Sequence, residues 1–136
     1  EDDIESRSSV FGAKLAEQPA IFLRIAESAA EIEAAWAVLA RDCRTAEAMT
    51  EAGEIPTLLQ RTAWRRNNAY AVVLSLRATD RLYGLAGMRG IQPSSHVQRC
   101  WRDVHAAASQ VAINWDTQAI NYGRARFGLP FQDPRA

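Results

Sequence analysis

Residues 19–52 read PAIFLRIAESAAEIEAAWAVLARDCRTAEAMTEA, and this stretch decides the fold class. Its one proline stands at the first position, where the missing N–H has no helical partner to lose, and no glycine interrupts the remainder. Ile21, Ile25, Ala29, Ile32, Trp36, Leu39, Cys43 and Ala46 recur in steps of three and four, the period of one helix face. Gly53 then supplies a stop. The spacing predicts a single long helix over residues 19–52.

The same grammar repeats downstream. Pro56 is expected to open a second helix, residues 56–87, with the stripe Leu59, Ala63, Tyr70, Leu74, Ala78, Leu82 and Leu85. Asn67 occupies a stripe position, and Arg66, Arg77 and Asp80 lie on or beside it, so this face must provide polar partners. Ser95 with Gln98 three residues on reads as a capping box opening a third helix, residues 95–126. Its stripe is Val97, Trp101, Val104, Ala108, Val111, Trp115, Ala119 and Tyr122, with Gly123 or Gly128 as its end. No hairpin turn or alternating β-branched run is present.

A helix of about 32 residues is about 48 Å long, so such rods must pack lengthwise. Short connections make them antiparallel neighbours, and the expected fold is all-α: an antiparallel bundle of three long helices. Residues 1–18, with Ile4, Val10, Phe11 and Leu15 broken by Ser8, Ser9 and Gly12, read as an N-terminal helix remnant of a chain truncated at that end.

Acidic and basic residues balance at 16 each, so no net field draws the chain to nucleic acid or anionic lipid. There is no apolar run of membrane-spanning length, and the start Glu1-Asp2-Asp3 is unlike a secretory leader, which points to the cytoplasm. Cys43 and Cys100 fall in apolar patterns and are expected as buried, reduced thiols. With two histidines and no matching carboxylate pattern, a metal site is not expected. Gly84, Gly87 and Gly90 follow no strand and so form no dinucleotide loop.

A second line on the third helix, Gln98, Arg102, His105, Ser109 and Asp116, shares one face. It reads either as the solvated side of an amphipathic helix or as the wall of a ligand site. Ala106, Ala107 and Ala112 let a flat ligand approach, and His105 has the side chain suited to proton transfer near neutrality.

The run Arg99-Cys100-Trp101-Arg102-Asp103-Val104-His105-Ala106-Ala107, then Asn114-Trp115-Asp116, Tyr122-Gly123 and Phe127-Gly128-Leu129-Pro130, resembles the C-terminal signature of flavin-dependent monooxygenases built on the acyl-CoA dehydrogenase fold. Asp80-Arg81-Leu82-Tyr83-Gly84-Leu85-Ala86-Gly87 and Arg24-Ile25-Ala26-Glu27 are similar to segments of the same family. The resemblance implies the C-terminal four-helix-bundle domain of a larger homotetrameric flavoenzyme, an oxygenase component. A separate flavin reductase would provide reduced FMN or FAD, which reacts with dioxygen to a C4a-hydroperoxide and hydroxylates a phenolic or other aromatic substrate. It implies His105 as the catalytic residue; Arg102, Gly84, Gly87 and Ser109 toward the cofactor; and Trp115 and Asp116 toward the substrate. By its place in the stripe Trp115, like Trp101, also reads as core.

Two departures bear on the reaction. A related pattern carries a second histidine where this chain has Gln110. The dehydrogenases proper place a catalytic glutamate near Val111, and no carboxylate occurs between Asp103 and Asp116. Oxygenase is therefore favoured over the alternatives, an acyl-CoA dehydrogenase-like oxidoreductase or a helical oligomerisation module without catalysis. The chain alone is expected to be inactive.

Overall fold

The computed structural model describes residues 18–130. Helix α1 spans Pro19–Glu51, α2 Leu58–Ala86, α3 His96–Ala108 and α4 Trp115–Arg126, with short 3-10 turns at Gly87–Ile91 and Val111–Ile113. The described residues are all-α, as the periodicity requires. The expected N-terminal remnant, with Ile4, Val10, Phe11 and Leu15, lies outside them.

Each helix boundary has a local cause. Gly53 adopts φ 68°, and the amides of Gly53 and Glu54 donate to the carbonyls of Thr50 and Met49, a Schellman stop that closes α1. Forcing a Cβ into this left-handed conformation costs about 1 kcal/mol. Urea denaturation of Gly53→Ala should show that loss; an unchanged midpoint would mean the motif does not hold the α1–α2 corner. Pro56 precedes α2 rather than opening it. Thr57 is the N-cap, in a reciprocal box with Gln60. At Ser95 only half of the expected box forms: its hydroxyl accepts from the Gln98 amide, while Gln98 Oε1 is buried without a partner.

The third expected helix, residues 95–126, is divided at residues 109–114. Ser109 Oγ donates to the Ala106 carbonyl at 2.7 Å, competing with the backbone ladder. Asn114 is extended and accepts from the Thr117 amide, starting a new helix whose first turn holds Asp116. Gln118 Nε2 reaches the Ala112 carbonyl across the break. Gly128, with φ 67°, ends α4 in a second Schellman motif, and Gly123 lies inside the helix.

Helix α2 is central: α1 packs against it, and α3 and α4 in turn return along it. The α1–α2 seam differs from the apolar stripe. Buried on α1 are Ile21, Ser28, Ala35 and Asp42, one residue every seven, and on α2 Ala71 and Ala78 repeat at the same interval. A seven-residue repeat is the seam of two helices wrapped left-handedly, and it drifts away from a stripe drawn at 3.6 residues per turn. Small side chains let the two backbones approach closely. The larger apolar residues flank the seam, so Ile32 is 48% and Trp36 73% exposed. On α2 only Ala78 of the expected stripe is fully covered, and Tyr70 is exposed.

Polar partners cross this seam. Asn67 Nδ2 donates to Asp42 Oδ2 at 2.7 Å, Arg41 donates to Asp42 Oδ1 at 2.8 Å, and Arg66 donates to Asn67 Oδ1 at 2.6 Å while lying 4.0 Å over the Tyr122 ring. Nearer the other end, Arg81 on α2 reaches Glu31 at 2.7 Å and Glu27 at 3.1 Å, with Ser28 Oγ alongside. The Glu31 hydrogen bond raises the guanidinium's pKa above its ordinary value. Cys43 and Cys100 are both exposed free thiols, contrary to the burial expected, because the seam passes beside Cys43 and the solvent-facing first turns of α3 carry Cys100. Among the described residues no helix is long and apolar enough to cross a membrane.

Candidate functional site

The hairpin between α2 and α3 brings together side chains far apart in sequence. Counting outward equally from the Gln92–Pro93 turn reaches Asp80 on α2 and His105 on α3, and the two meet with His105 Nε2 3.3 Å from Asp80 Oδ1. The other ring nitrogen, Nδ1, lies 2.9 Å from the Trp101 carbonyl one turn back. That oxygen only accepts, so this contact is a hydrogen bond in the tautomer that carries a hydrogen on Nδ1. The ring packs 4.1 Å from the Trp101 indole, which stacks on Tyr83 at 5.2 Å.

Trp101 is half-buried rather than core. Its Nε1–H donates to Asp80 Oδ1 at 2.7 Å, so one carboxylate oxygen faces both the indole and the imidazole. Gly90 supports the cluster from behind: a Cβ there would sit 3.0 Å from Ala86 Cβ and 3.3 Å from the Tyr83 ring. The imidazole stays 34% exposed and the Asp80 side chain 55% exposed, so the pair is open to a ligand.

The other candidate residues divide around this centre. Arg102 is exposed on α3 beside the cluster. Gly84, one turn beyond Asp80 on α2, has open space where a Cβ would stand, so a flat group can lie against the helix there. Gly87 adopts φ 58°, ψ −147°, a conformation essentially reserved for glycine, and ends α2. Ser109 sits at the C-terminal end of α3 with its hydrogen given to Ala106. Trp115 and Asp116 are not brought to His105. Trp115 pairs with Tyr70 at 5.1 Å, about 15 Å along α2 from Asp80 at 1.5 Å per residue. There it helps line a groove of about 260 Å³ with Ala35, Val38, Asn67 and Leu74. Asp116 is exposed in the first turn of α4.

Asp80 was visible in the sequence as a polar residue beside a stripe, without a role. Its partner becomes apparent only when the hairpin register is known. The break between α3 and α4 places Val111, 59% exposed, and the exposed Gln110 beyond the end of the histidine's helix. Among the described residues no group of three or more His, Cys, Asp or Glu could hold a metal ion.

Known proteins resemble this chain in sequence and fold. The family model for the acyl-CoA dehydrogenase C-terminal domain matches residues 2–115. The oxygenase component of an FADH(2)-dependent resorcinol hydroxylase from Rhizobium sp. (strain MTP-10005) is 36% identical over 91% of the chain, which spans 32% of that protein. The oxygenase subunit HsaA of a flavin-dependent monooxygenase from Mycobacterium tuberculosis is 34% identical, again over 91% of the chain and 32% of the relative. The crystal structure of 3-HSA hydroxylase from Rhodococcus sp. RHA1 superposes with a TM-score of 0.86 at 29% identity, covering 97% of this chain and 34% of that one. The chain thus spans about a third of the length of the curated relatives it matches.

Proposed function

Because the chain belongs to the acyl-CoA dehydrogenase C-terminal domain family, we propose that it forms one wall of the active site of a flavin-dependent monooxygenase, an oxygenase component that hydroxylates phenolic substrates. The observation that carries this reading is the position of His105. The motif histidine stands at the surface on a carboxylate, while the region near Val111, where the resemblance would put a dehydrogenase's glutamate, carries no carboxylate between Asp103 and Asp116. Similarity to two flavin-dependent hydroxylating systems supports it.

The residues present fit a flavin. The open α2 face at Gly84 admits a planar ring against the helix, and the exposed Arg102 is a suitable counter-charge for a phosphate of FMN or FAD. Reduced flavin, provided by a partner reductase, would with dioxygen supply the transferred oxygen atom. This chain's part is to hold and exchange a proton at His105 Nε2 with the substrate. Ser109, at the end of α3, is assigned to the cofactor margin, and Trp115 and Asp116, at the separate groove by Tyr70, are kept for the substrate margin as the resemblance implies. The reading assigns the protein to the cytoplasm, where reduced nicotinamide sustains the reductase.

The test is anaerobic titration of reduced flavin into the longer protein that contains this chain, followed by flavin absorbance. Saturable binding that Arg102→Ala weakens is expected. Absence of any binding would overturn the reading and leave only the fold. The 136-residue chain alone, one wall of the site, is expected to give no hydroxylated product.

Assembly into a homo-oligomer, a tetramer in this reading, is supported by the uncovered outer face of α1. Trp36, Leu39, Cys43 and Ala46 there line, with Trp64 of α2, an apolar groove of about 540 Å³. Trp36→Glu together with Ile32→Glu is expected to reduce the mass of the longer protein in sedimentation. An unchanged mass would remove this face from the assembly.

A further inference from the structure

We propose that Asp80 is the positioning residue of His105, and that the Trp101 indole is the clamp that fixes it; the inference deepens the proposed oxygenase reading and, for its catalytic consequence, rests on it. The juxtaposition is specific: Asp80 Oδ1 receives the Trp101 Nε1–H at 2.7 Å and faces His105 Nε2 at 3.3 Å. Among the described residues, two charged neighbours of the cluster have other partners and two are exposed. Asp103 on α3 lies 3.7 Å from Arg99, Arg81 on α2 is turned to Glu27 and Glu31 on α1, and Arg77 and Arg102 are exposed. Tyr83 meets the cluster through its ring face, on Trp101.

The arrangement behaves as a latch governed by the proton itself. With a hydrogen on Nε2, the imidazole and the carboxylate form a charge-assisted hydrogen bond that holds the ring against Asp80. Once that hydrogen passes to solvent water at the open face of the ring, two lone pairs face each other and the contact is lost, while a hydrogen on Nδ1 keeps the ring anchored to the Trp101 carbonyl. The ring then pivots about one fixed nitrogen, and Nε2 becomes free to accept the next proton from a phenol. A lasting anchor on one nitrogen and a carboxylate partner on the other make His105 reversible in direction rather than fixed as acid or base.

The test has two parts. The first uses the ¹⁵N-histidine- and ¹⁵N-tryptophan-labelled 136-residue chain, without flavin, at mildly acidic pH. Asp80→Ala should speed exchange of both the His105 Hε2 and the Trp101 indole proton about tenfold or more, and Asp80→Glu should restore most of the protection. Unchanged exchange of the two protons, with helix content intact by circular dichroism, would overturn the pairing. The second uses the longer protein: Asp80→Ala should lower kcat about tenfold with KM little changed, and Asp80→Glu should recover part of it. Equal kcat in wild type and Asp80→Ala would overturn the positioning role even if hydroxylation is confirmed. Loss of proton protection in Asp80→Ala in a protein that never hydroxylates would uphold the latch and overturn the oxygenase reading instead.

Discussion

Replacing His105 by alanine in the longer protein is expected to lower phenol hydroxylation by about 10²–10⁴-fold, the usual contribution of a positioned acid–base group. The ring lies at the surface of α3 and is not part of the α1–α2 seam, so stability should change by no more than about 1 kcal/mol. The loss should therefore appear in turnover, with flavin affinity and assembly retained. Added imidazole should recover part of the rate by entering the space the side chain leaves. A variant that hydroxylates at the parent rate would remove His105 from the chemistry.

The largest stability effect is expected at the polar seam. Asp42→Ala removes the acceptor of both Arg41 and the buried Asn67 amide, and should cost about 2–3 kcal/mol in urea denaturation, the penalty of a hydrogen bond to a charged group lost within a covered interface. The double variant Asp42→Leu with Asn67→Leu should lie within about 1 kcal/mol of the parent, because it removes both buried partners together and adds apolar contact, while the exposed Arg41 and the half-buried Arg66 turn to solvent. If the double variant is as unstable as the single one, the network contributes more than its own pairing, through Arg66 and its contact with Tyr122.

Helix content and end signals were legible because they are local. Pro19, Gly53 and Gly128 act through their own backbones and Ser95 through its hydroxyl, and each stands at a helix end in the structure. The buried face of α1 was less legible. A stripe of large apolar residues marks the best hydrophobic face of an isolated helix, whereas Ser28, Ala35 and Asp42 are buried because they are small or because a partner on α2 answers them. The division at residues 109–114 was hidden under an unbroken apolar pattern, although Ser109 and Asn114 are residues that compete with or cap a helix. In the candidate site, His105 was singled out by its motif. Asp80 was not assigned, because a carboxylate acquires its role only from the register of a hairpin, and Trp101 looked like core because a stripe position says nothing of an indole N–H that needs an acceptor.

The central claim is that this chain belongs to an enzyme that inserts an oxygen atom, and isotope labelling tests it most directly. The longer protein, given reduced flavin, ¹⁸O₂ and resorcinol as a phenolic probe, is expected to yield a hydroxylated product carrying ¹⁸O, with the yield collapsing in His105→Ala. Flavin oxidised without label in any phenol, together with oxidation of an acyl-CoA thioester by the same preparation, would contradict the account and assign the protein to the dehydrogenases.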